Sequence, residues 1–212
     1  MFQSLFSFAV KHRASIVRTW YTSYIILFSS ALYGIYGMYY QISHTPLLYR
    51  FGLWTGRIGL VVYILTLLPG IFRRFRFQHK GVMVLMMYRR QIGIVSFLLV
   101  FNHFWIVRGV SMFFRKAYTF PPLNEVAGMI AYAPLLAMFL TSNDFAVKLL
   151  GEWWNRLHTL TYGVVWLVLL HVGFQRFSIW TVLAAGAVVL EILSFLYARK
   201  ESFSRFIQEQ RL

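Results

Sequence analysis

Long apolar runs alternate with short polar segments along most of the chain. A helix that crosses a membrane needs roughly 20 mostly apolar residues. Six runs approach that length, at residues 21–40, 52–72, 91–113, 126–141, 156–174 and 179–197. The fourth run is short and follows Pro121 and Pro122, which break any helix. The pattern therefore predicts an all-α integral membrane protein, a six-transmembrane-helix bundle.

Two less apolar segments flank these runs. In residues 1–20 a short apolar piece precedes Lys11 and Arg13, whereas a signal peptide has its charges first. This segment is therefore expected to form an interfacial helix on the cytoplasmic side. Residues 198–212 are expected to form a basic cytoplasmic tail, and the six-helix domain between them spans residues 21–197.

Composition and charge support the membrane class. Hydrophobic residues make up 59% of the chain and charged residues 13%, against about 25% charged in a soluble domain. The net charge of +15 resides mainly in short loops, so it indicates topology and anionic lipid rather than nucleic acid. Most of the 21 Lys and Arg residues share a side with both ends of the chain, whereas Arg115 and Lys116 fall on the other. The positive-inside rule then places both termini in the cytoplasm.

Histidines are the strongest chemical feature of the apolar runs. Of the six histidines, His103, His158 and His171 lie inside runs, and the others lie in loops or the N-terminal segment. Ionisable residues within a bilayer are rare and usually face the bundle interior. Neutral imidazole is a common axial ligand of haem iron. The absence of cysteine excludes iron–sulfur clusters held by this chain's thiolates and also thiol catalysis.

Helix geometry separates the three histidines. His103 and His171 are expected at comparable depth in the outer half of the bilayer, which suits a haem b held between two imidazoles. Two histidines that hydrogen-bond neighbouring helices are the alternative, and spacing alone leaves both open. His158 lies about 20 Å along the helix from His171, and the thirteen residues between them turn the helix by about 220° beyond whole turns. Both can bind haem only from different directions, or if the helix is irregular between them.

A partner for His158 is not evident in the sequence. The matching level of the third run offers Arg89 and Arg90 but no histidine. Methionines just before it could serve as axial ligands, although methionine more often packs; they are Met83, Met86 and Met87. His158 could instead hold a weakly ligated second haem, contact a propionate, or line a quinone or flavin site.

Five segments, in order, resemble the ferric reductase-like transmembrane domain family. They are "TGRIGLVVYILTLLPGIFR", "YRRQIG", "FNHFW", "FLTSNDFAVKLLGEWWNRLHTLTY" and "VLLHVGF", and they extend over about residues 47–174. Within the family they are most similar to the haem-binding membrane subunits of periplasmic methionine sulfoxide reductase systems. The first helix and the tail match no pattern of that branch.

The resemblance implies an electron-transfer subunit of the bacterial inner membrane that carries haem b. It implies that His103, His158 and His171 occupy haem-linked positions, with one haem or two. It also implies a periplasmic molybdoenzyme-type reductase as acceptor. Because the chain offers no flavin domain and no nucleotide motif, quinol or a cytoplasmic flavin reductase is expected as donor, and FMN or quinone could be a further cofactor. The sequence contains no G-x-G-x-x-G nucleotide fingerprint. A metal-ion reductase with the same haem path, and a cofactor-free membrane subunit or transporter, are the alternatives.

Four further residues invite a role at such a site. Arg57 lies within the second run, where its guanidinium could contact a haem propionate or reach the outer headgroups. Arg90, with its neighbour Arg89, could contact a propionate or an anionic cofactor, although anchoring at the cytoplasmic surface is the more common role of such residues. Glu191 could relay protons near a quinone or hydrogen-bond within the bundle.

Overall fold

A computed structural model describes the backbone of residues 2–77, 79–114 and 120–209. Side chains are described for residues 6–77, 79–114 and 120–201. Arg115 and Lys116, two of the basic residues used to predict the orientation, lie outside the described residues. So do the side chains of Arg205 and Arg211 in the predicted tail.

Every regular element of the described chain is helical, which confirms the predicted all-α class. A π turn, Trp105–Gly109, interrupts one of the helices just after His103. The helices are α1 (Phe2–Lys11), α2 (Arg13–Tyr40), α3 (Thr45–Arg74), α4 (Lys80–Met87), α5 (Arg89–Phe104), α6 (Val110–Phe113), α7 (Leu123–Leu140), α8 (Asp144–Leu150), α9 (Glu152–Thr159), α10 (Thr161–Gln175) and α11 (Ile179–Glu209).

Five helical segments within the described residues are long and apolar enough to cross a membrane. They correspond to the second to sixth predicted runs and cover Thr45–Arg74, Arg89–Phe113, Leu123–Leu140, Glu152–Gln175 and Ile179–Glu201. The first run lies within α2, which is continuous and 28 residues long. Frequent Tyr and Ser residues make α2 less apolar than the other five. A sixth span and cytoplasmic termini therefore stay predictions.

The five apolar segments form a closed ring. Helix α3 packs against α5 and α11, α10 packs against α11 and α7, and α7 meets α5. Helix α2 lies outside this ring, mainly against α5. Because lipid is as apolar as the core, van der Waals packing and interhelical hydrogen bonds must hold such a bundle together. One buried cluster takes residues from all five segments, among them Leu67, Phe97, Leu135, Val165 and Val188.

The helix that carries His158 and His171 is irregular between them. Helix α9 ends at Thr159 and α10 begins at Thr161. At this junction the Leu160 amide donates to the Leu157 carbonyl at 3.0 Å, a spacing of three residues instead of the four of an α-helix. The two histidines therefore do not lie on one uninterrupted helix. An irregular helix between them was one of the two possibilities that their spacing left open.

A polar contact fixes α5 beside α2, the helix that lies outside the ring. The Asn102 side chain is fully buried and donates to the Leu27 carbonyl of α2 at 2.9 Å. Ser30 of α2 donates to the Asn102 side-chain oxygen at 3.0 Å. A buried amide that finds its partners resists displacement, because breaking them leaves polar groups unpaired in an apolar interior. The contact thus holds the turn of α5 that also carries His103.

Candidate functional site

His103 projects from α5 and is fixed by α3. Its Nδ1 lies 2.9 Å from the Gly52 carbonyl oxygen. A carbonyl can only accept, so this contact assigns the hydrogen to Nδ1 and leaves Nε2 with a free lone pair in the neutral ring. The ring lies against Gly56, where a Cβ would approach Nδ1 to 2.6 Å. Only glycine leaves room for the imidazole at this point.

His171 repeats this arrangement on the other half of the ring. It projects from α10, and its Nδ1 lies 2.6 Å from the Asn124 carbonyl oxygen of α7. Its ring lies against Gly128, where a Cβ would approach Nδ1 to 2.7 Å. Each histidine thus has a carbonyl on a neighbouring helix that fixes its tautomer. A glycine four residues after that carbonyl, on the same neighbouring helix, makes room for the ring, and we call this glycine position the cradle of the histidine.

The two imidazoles meet across the interior of the ring. Helices α5 and α10 are not neighbours in the ring, yet the centres of the His103 and His171 rings are 6.1 Å apart, with 74° between their planes. A metal bound between two imidazoles would place their centres roughly 6 Å apart, from two bonds of about 2 Å and an offset of about 1 Å within each ring. The separation therefore fits an axial ligand pair.

The donor set fits haem better than a bare metal ion. Within the part of the chain that the structure describes, no group of three or more His, Cys, Asp or Glu side chains is placed to hold a metal. A haem brings four equatorial nitrogens and needs only axial ligands from the protein. His103 and His171 would be two such ligands, and both have the carbonyl support that ligating histidines usually have.

His158 lies at the opposite end of its span in a different environment. Its Nε2 is 3.2 Å from the Thr141 hydroxyl oxygen. Its ring stacks on Trp154 with 4.0 Å between ring centres, and the Trp154 indole donates to the Thr141 carbonyl at 2.9 Å. The structure does not bring His158 to the other two histidines. Its haem-linked role stays a prediction.

The methionines considered as partners for His158 lie on the short helix α4. Met83 and Met86 are about half exposed. Met87 packs beside a buried cluster that includes Tyr88 and Ile92. These positions are compatible with ordinary packing, and a methionine ligand stays a prediction.

The predicted arginines fall in three distinct places. Arg57 follows Gly56 directly, and its guanidinium lies over the Trp54 ring at 4.8 Å and near the Trp180 ring at 5.8 Å. Arg57 is therefore next to the cradle of His103. Its contact with a haem propionate stays a prediction. Such guanidinium–indole contacts are favourable, the more so away from water.

Arg90 and Arg89 lie far from the histidine pair, at the start of α5. Arg90 forms an exposed ion pair of 2.6 Å with Asp144, and the hydrogen bond from its guanidinium lowers the pKa of that carboxyl. Arg89 lines a cleft of about 180 Å³ at the end of α3, together with Arg73 and Met86. Both positions suit a membrane-surface residue, and a cofactor contact by Arg90 stays a prediction.

Glu191 is buried on α11, with 3% of its surface exposed. Its Oε2 is buried and has no hydrogen-bond partner among the residues that the structure describes. Nearby, Arg74 donates to the Ser194 hydroxyl at 3.2 Å and lies over the Phe195 ring at 3.7 Å. The contact between helices here belongs to Arg74 and Ser194, and both roles considered for Glu191 stay predictions.

The supporting residues of the site were missed by reasoning from side-chain chemistry. Gly52 and Gly56 form a G-x-x-x-G pair, a pattern of close helix approach in membranes that could have indicated them. Asn124 contributes only its backbone oxygen, so its side chain carries no information about the contact. Gly128 could have been found only once α7 and α10 were known to be neighbours.

Comparison with known proteins gives partial matches. The chain is 33% identical over 105 residues to the haem-binding subunit MsrQ of the protein-methionine-sulfoxide reductase of Agrobacterium fabrum, covering 45% of this chain and 46% of that protein. It is 27% identical over 132 residues to the MsrQ subunit of Rhizobium meliloti, covering 58% of each. The chain thus spans about half the length of the curated relatives it matches. No family model matches it, and no solved structure matches it.

The matched relatives confirm the resemblance that the sequence motifs indicated. Both relatives are named haem-binding subunits. Five helical segments of the described residues are long and apolar enough to cross a membrane. Similarity and architecture together lead to one conclusion: the chain is a multi-pass integral membrane protein that resembles the MsrQ subunits of methionine sulfoxide reductases.

Proposed function

We propose that this protein is a membrane cytochrome that binds haem b between His103 and His171 and passes electrons across the bilayer. One observation carries the proposal: two imidazoles from opposite sides of the helix ring approach to 6.1 Å between their centres. Each ring is fixed through Nδ1, so that Nε2 is left to bind. The haem-binding names of the relatives support the same cofactor.

The haem would supply the change between ferric and ferrous iron that carries the electron. The chain would fix the ligands and their surroundings. The Gly52 and Asn124 carbonyls accept hydrogen bonds from Nδ1, which raises the basicity of each imidazole toward a metal. The apolar ring of helices would limit the access of water, and this lowers the local dielectric and thereby tunes the potential.

The path of the electrons is proposed from the resemblance and from charge. Both termini would lie in the cytoplasm, and the His103–His171 pair would lie in the outer half of the membrane. The acceptor would be a periplasmic, molybdenum-containing methionine sulfoxide reductase. Electrons would come from quinol or from a cytoplasmic flavin reductase, with FMN or quinone bound on the way. His158 would mark the entry side, either as ligand of a second haem or as part of a donor site.

Haem binding is tested directly by spectroscopy. The full chain, produced with ample haem and purified in detergent, should show a b-type α-band in a reduced minus oxidised spectrum. A pyridine haemochrome assay against protein concentration then gives the haem count, which distinguishes one haem from two. Protein that folds into the membrane but shows no α-band would refute the proposal and favour a cofactor-free subunit, in which the histidines only join helices.

A further inference from the structure

An ion pair lies close to the histidine pair and is not explained by ligation itself. Arg108, in the π turn, and Glu125, in the first turn of α7, approach to 2.8 Å, with side chains 23% and 30% exposed. Both belong to segments that are long and apolar enough to span the membrane. Acidic residues number only six in the whole chain. A charged pair placed here needs a reason, since ionisable groups within a membrane are costly.

Each partner of this pair adjoins the support of one histidine. Glu125 follows Asn124, whose carbonyl oxygen accepts from His171. Arg108 lies five residues after His103 on the same helical segment. The ion pair therefore connects the segment that carries one imidazole to the turn that anchors the other.

The π turn contributes to this connection. In a regular α-helix a residue five positions on is rotated by about 140° from the first, at about 100° per residue. A π turn bonds residue i to residue i+5, as the Val110 amide does with the Trp105 carbonyl, and so it turns the chain less per residue. Arg108 is thereby rotated back toward the face of His103. Such turns are often found at functional sites.

We propose that Arg108 and Glu125 form a positioning pair for the two axial histidines. The pair fixes the first turn of α7, and with it the Asn124 carbonyl, relative to the part of α5 that holds His103. It thereby sets the distance and the angle between the two imidazole planes. The inference rests on the proposed function, because it concerns a haem bound between these rings.

The test compares ion-pair variants of the haem-loaded full chain in detergent. Arg108→Gln and Glu125→Gln each remove one charge, and Arg108→Glu combined with Glu125→Arg reverses the pair. Three quantities are measured: haem retained per protein, the midpoint potential, and the low-spin ferric EPR spectrum, which reports the angle between axial imidazole planes. Arg76→Gln is the matched control, since Arg76 forms an ion pair of similar length with Glu201 at the other end of the bundle.

Each single variant should change the EPR g values and weaken haem binding by about tenfold, the lower end of what loss of outer-shell support costs a metal site. The double variant Arg108→Gln/Glu125→Gln should be no worse than either single variant, because both break the same contact. The reversed pair should recover a spectrum close to that of the wild type. Arg76→Gln should leave all three quantities unchanged.

Unchanged EPR spectra in both single variants would overturn the inference, while the haem itself would still support the proposed function. So would equal effects from Arg76→Gln, which would indicate a general response to lost charge. If the single variants fail to fold, the reversed pair decides: a wild-type-like spectrum supports positioning, and a reversed pair without haem overturns it. A wild-type chain without haem would instead refute the proposed function.

Discussion

The two ends of the span formed by α9 and α10 each carry a histidine, but the groups that contact the two imidazoles differ. His171 is held through Nδ1 by a backbone carbonyl and has a glycine against its ring. His158 is held through Nε2 by a hydroxyl and has an indole stacked on its ring. The Asn124 carbonyl accepts from Nδ1 of His171 and leaves its Nε2 without a hydrogen. The Thr141 hydroxyl already donates to the Ala137 carbonyl at 2.8 Å, so toward His158 it accepts and assigns the hydrogen to Nε2.

This difference indicates which features would prepare a histidine to bind a metal in an apolar interior. Being buried is not sufficient, since all three intramembrane histidines are half-buried. The His103–His171 pair has the proton assigned away from Nε2 and another imidazole at the right distance. His158 has its Nε2 in a hydrogen bond, which a ligand would have to displace. His158 is therefore less well prepared than His103 and His171 to bind a haem iron.

Removing a histidine should give the largest effect. His103→Ala and His171→Ala should each abolish the same α-band, because in the proposed site each would supply one axial bond to one iron. His158→Ala should retain that band, with loss limited to any second haem. Reduced minus oxidised spectra and the haemochrome count measure both. Retention of the full haem content in either His103→Ala or His171→Ala would show that the pair does not act together.

Filling the glycine cradles should have the next largest effect. Gly56→Ala and Gly128→Ala would place a methyl group 2.6 Å and 2.7 Å from the imidazoles. The rings must shift, so haem affinity should fall on the order of tenfold, as when a ligand loses its outer-shell support. Haem retention during repeated washing or competition with apomyoglobin measures this loss.

Matched controls for the cradles lie on the histidine-bearing helices themselves. Gly93 of α5 and Gly163 of α10 have nothing within 4 Å of an added Cβ. Gly93→Ala and Gly163→Ala should keep wild-type haem affinity, and their helices could gain up to about 1 kcal/mol in stability. Equal loss of haem in the control variants would indicate that α5 and α10 tolerate no added methyl group, and the cradles would then have no special role.

A smaller effect is expected at the His158 end. Thr141→Val removes the hydroxyl that contacts Nε2 and should cost about 0.5–1.5 kcal/mol of unfolding free energy, the usual value of one hydrogen bond. The thermal midpoint in detergent should fall slightly, while the haem of the His103–His171 pair keeps its potential. A large shift in that potential would show that the two ends are coupled more strongly than the contacts suggest.

The smallest effect should come from the exposed pair between Arg90 and Asp144. The Arg90 hydrogen bond lowers the pKa of Asp144 below its ordinary value of about 3.9. A carboxyl with a lowered pKa stabilises the fold above its unfolded pKa, and this contribution is lost as the pH falls through the folded pKa. Arg90→Gln should therefore reduce the thermal midpoint slightly at pH 7 and not at all in strong acid. A difference that grows on acidification would contradict this assignment.

The helices were largely predictable from the sequence, and part of the site was too. Five of the six apolar runs coincide with membrane-length helices, because a backbone in lipid must satisfy its own hydrogen bonds. His103 and His171 were expected at similar depth from residue counting along two helices of the same direction. The angular offset of His158 and His171 allowed both to bind haem only from different directions or on an irregular helix. The helix between them is irregular at Leu160.

Other features could not be predicted, for identifiable reasons. The first run became part of a longer helix that begins at Arg13, because a polar sequence near an interface can continue a helix without being apolar. Arg90 contacts Asp144, an exposed residue 54 positions away, and this pairing depends on where α8 lies. Sequence spacing gives no access to such contacts between distant segments.

The sequence by itself determined that this chain is helical, apolar and equipped with histidines inside its membrane segments. It did so because apolar runs and residue chemistry act locally. Only the tertiary structure decided which histidines meet and which nitrogen of each is free. Those outcomes depend on the Gly52 and Asn124 carbonyls, and every residue has a carbonyl. The closure of the five-helix ring brings these two carbonyls to the imidazoles. No pattern of side chains in the sequence identifies them.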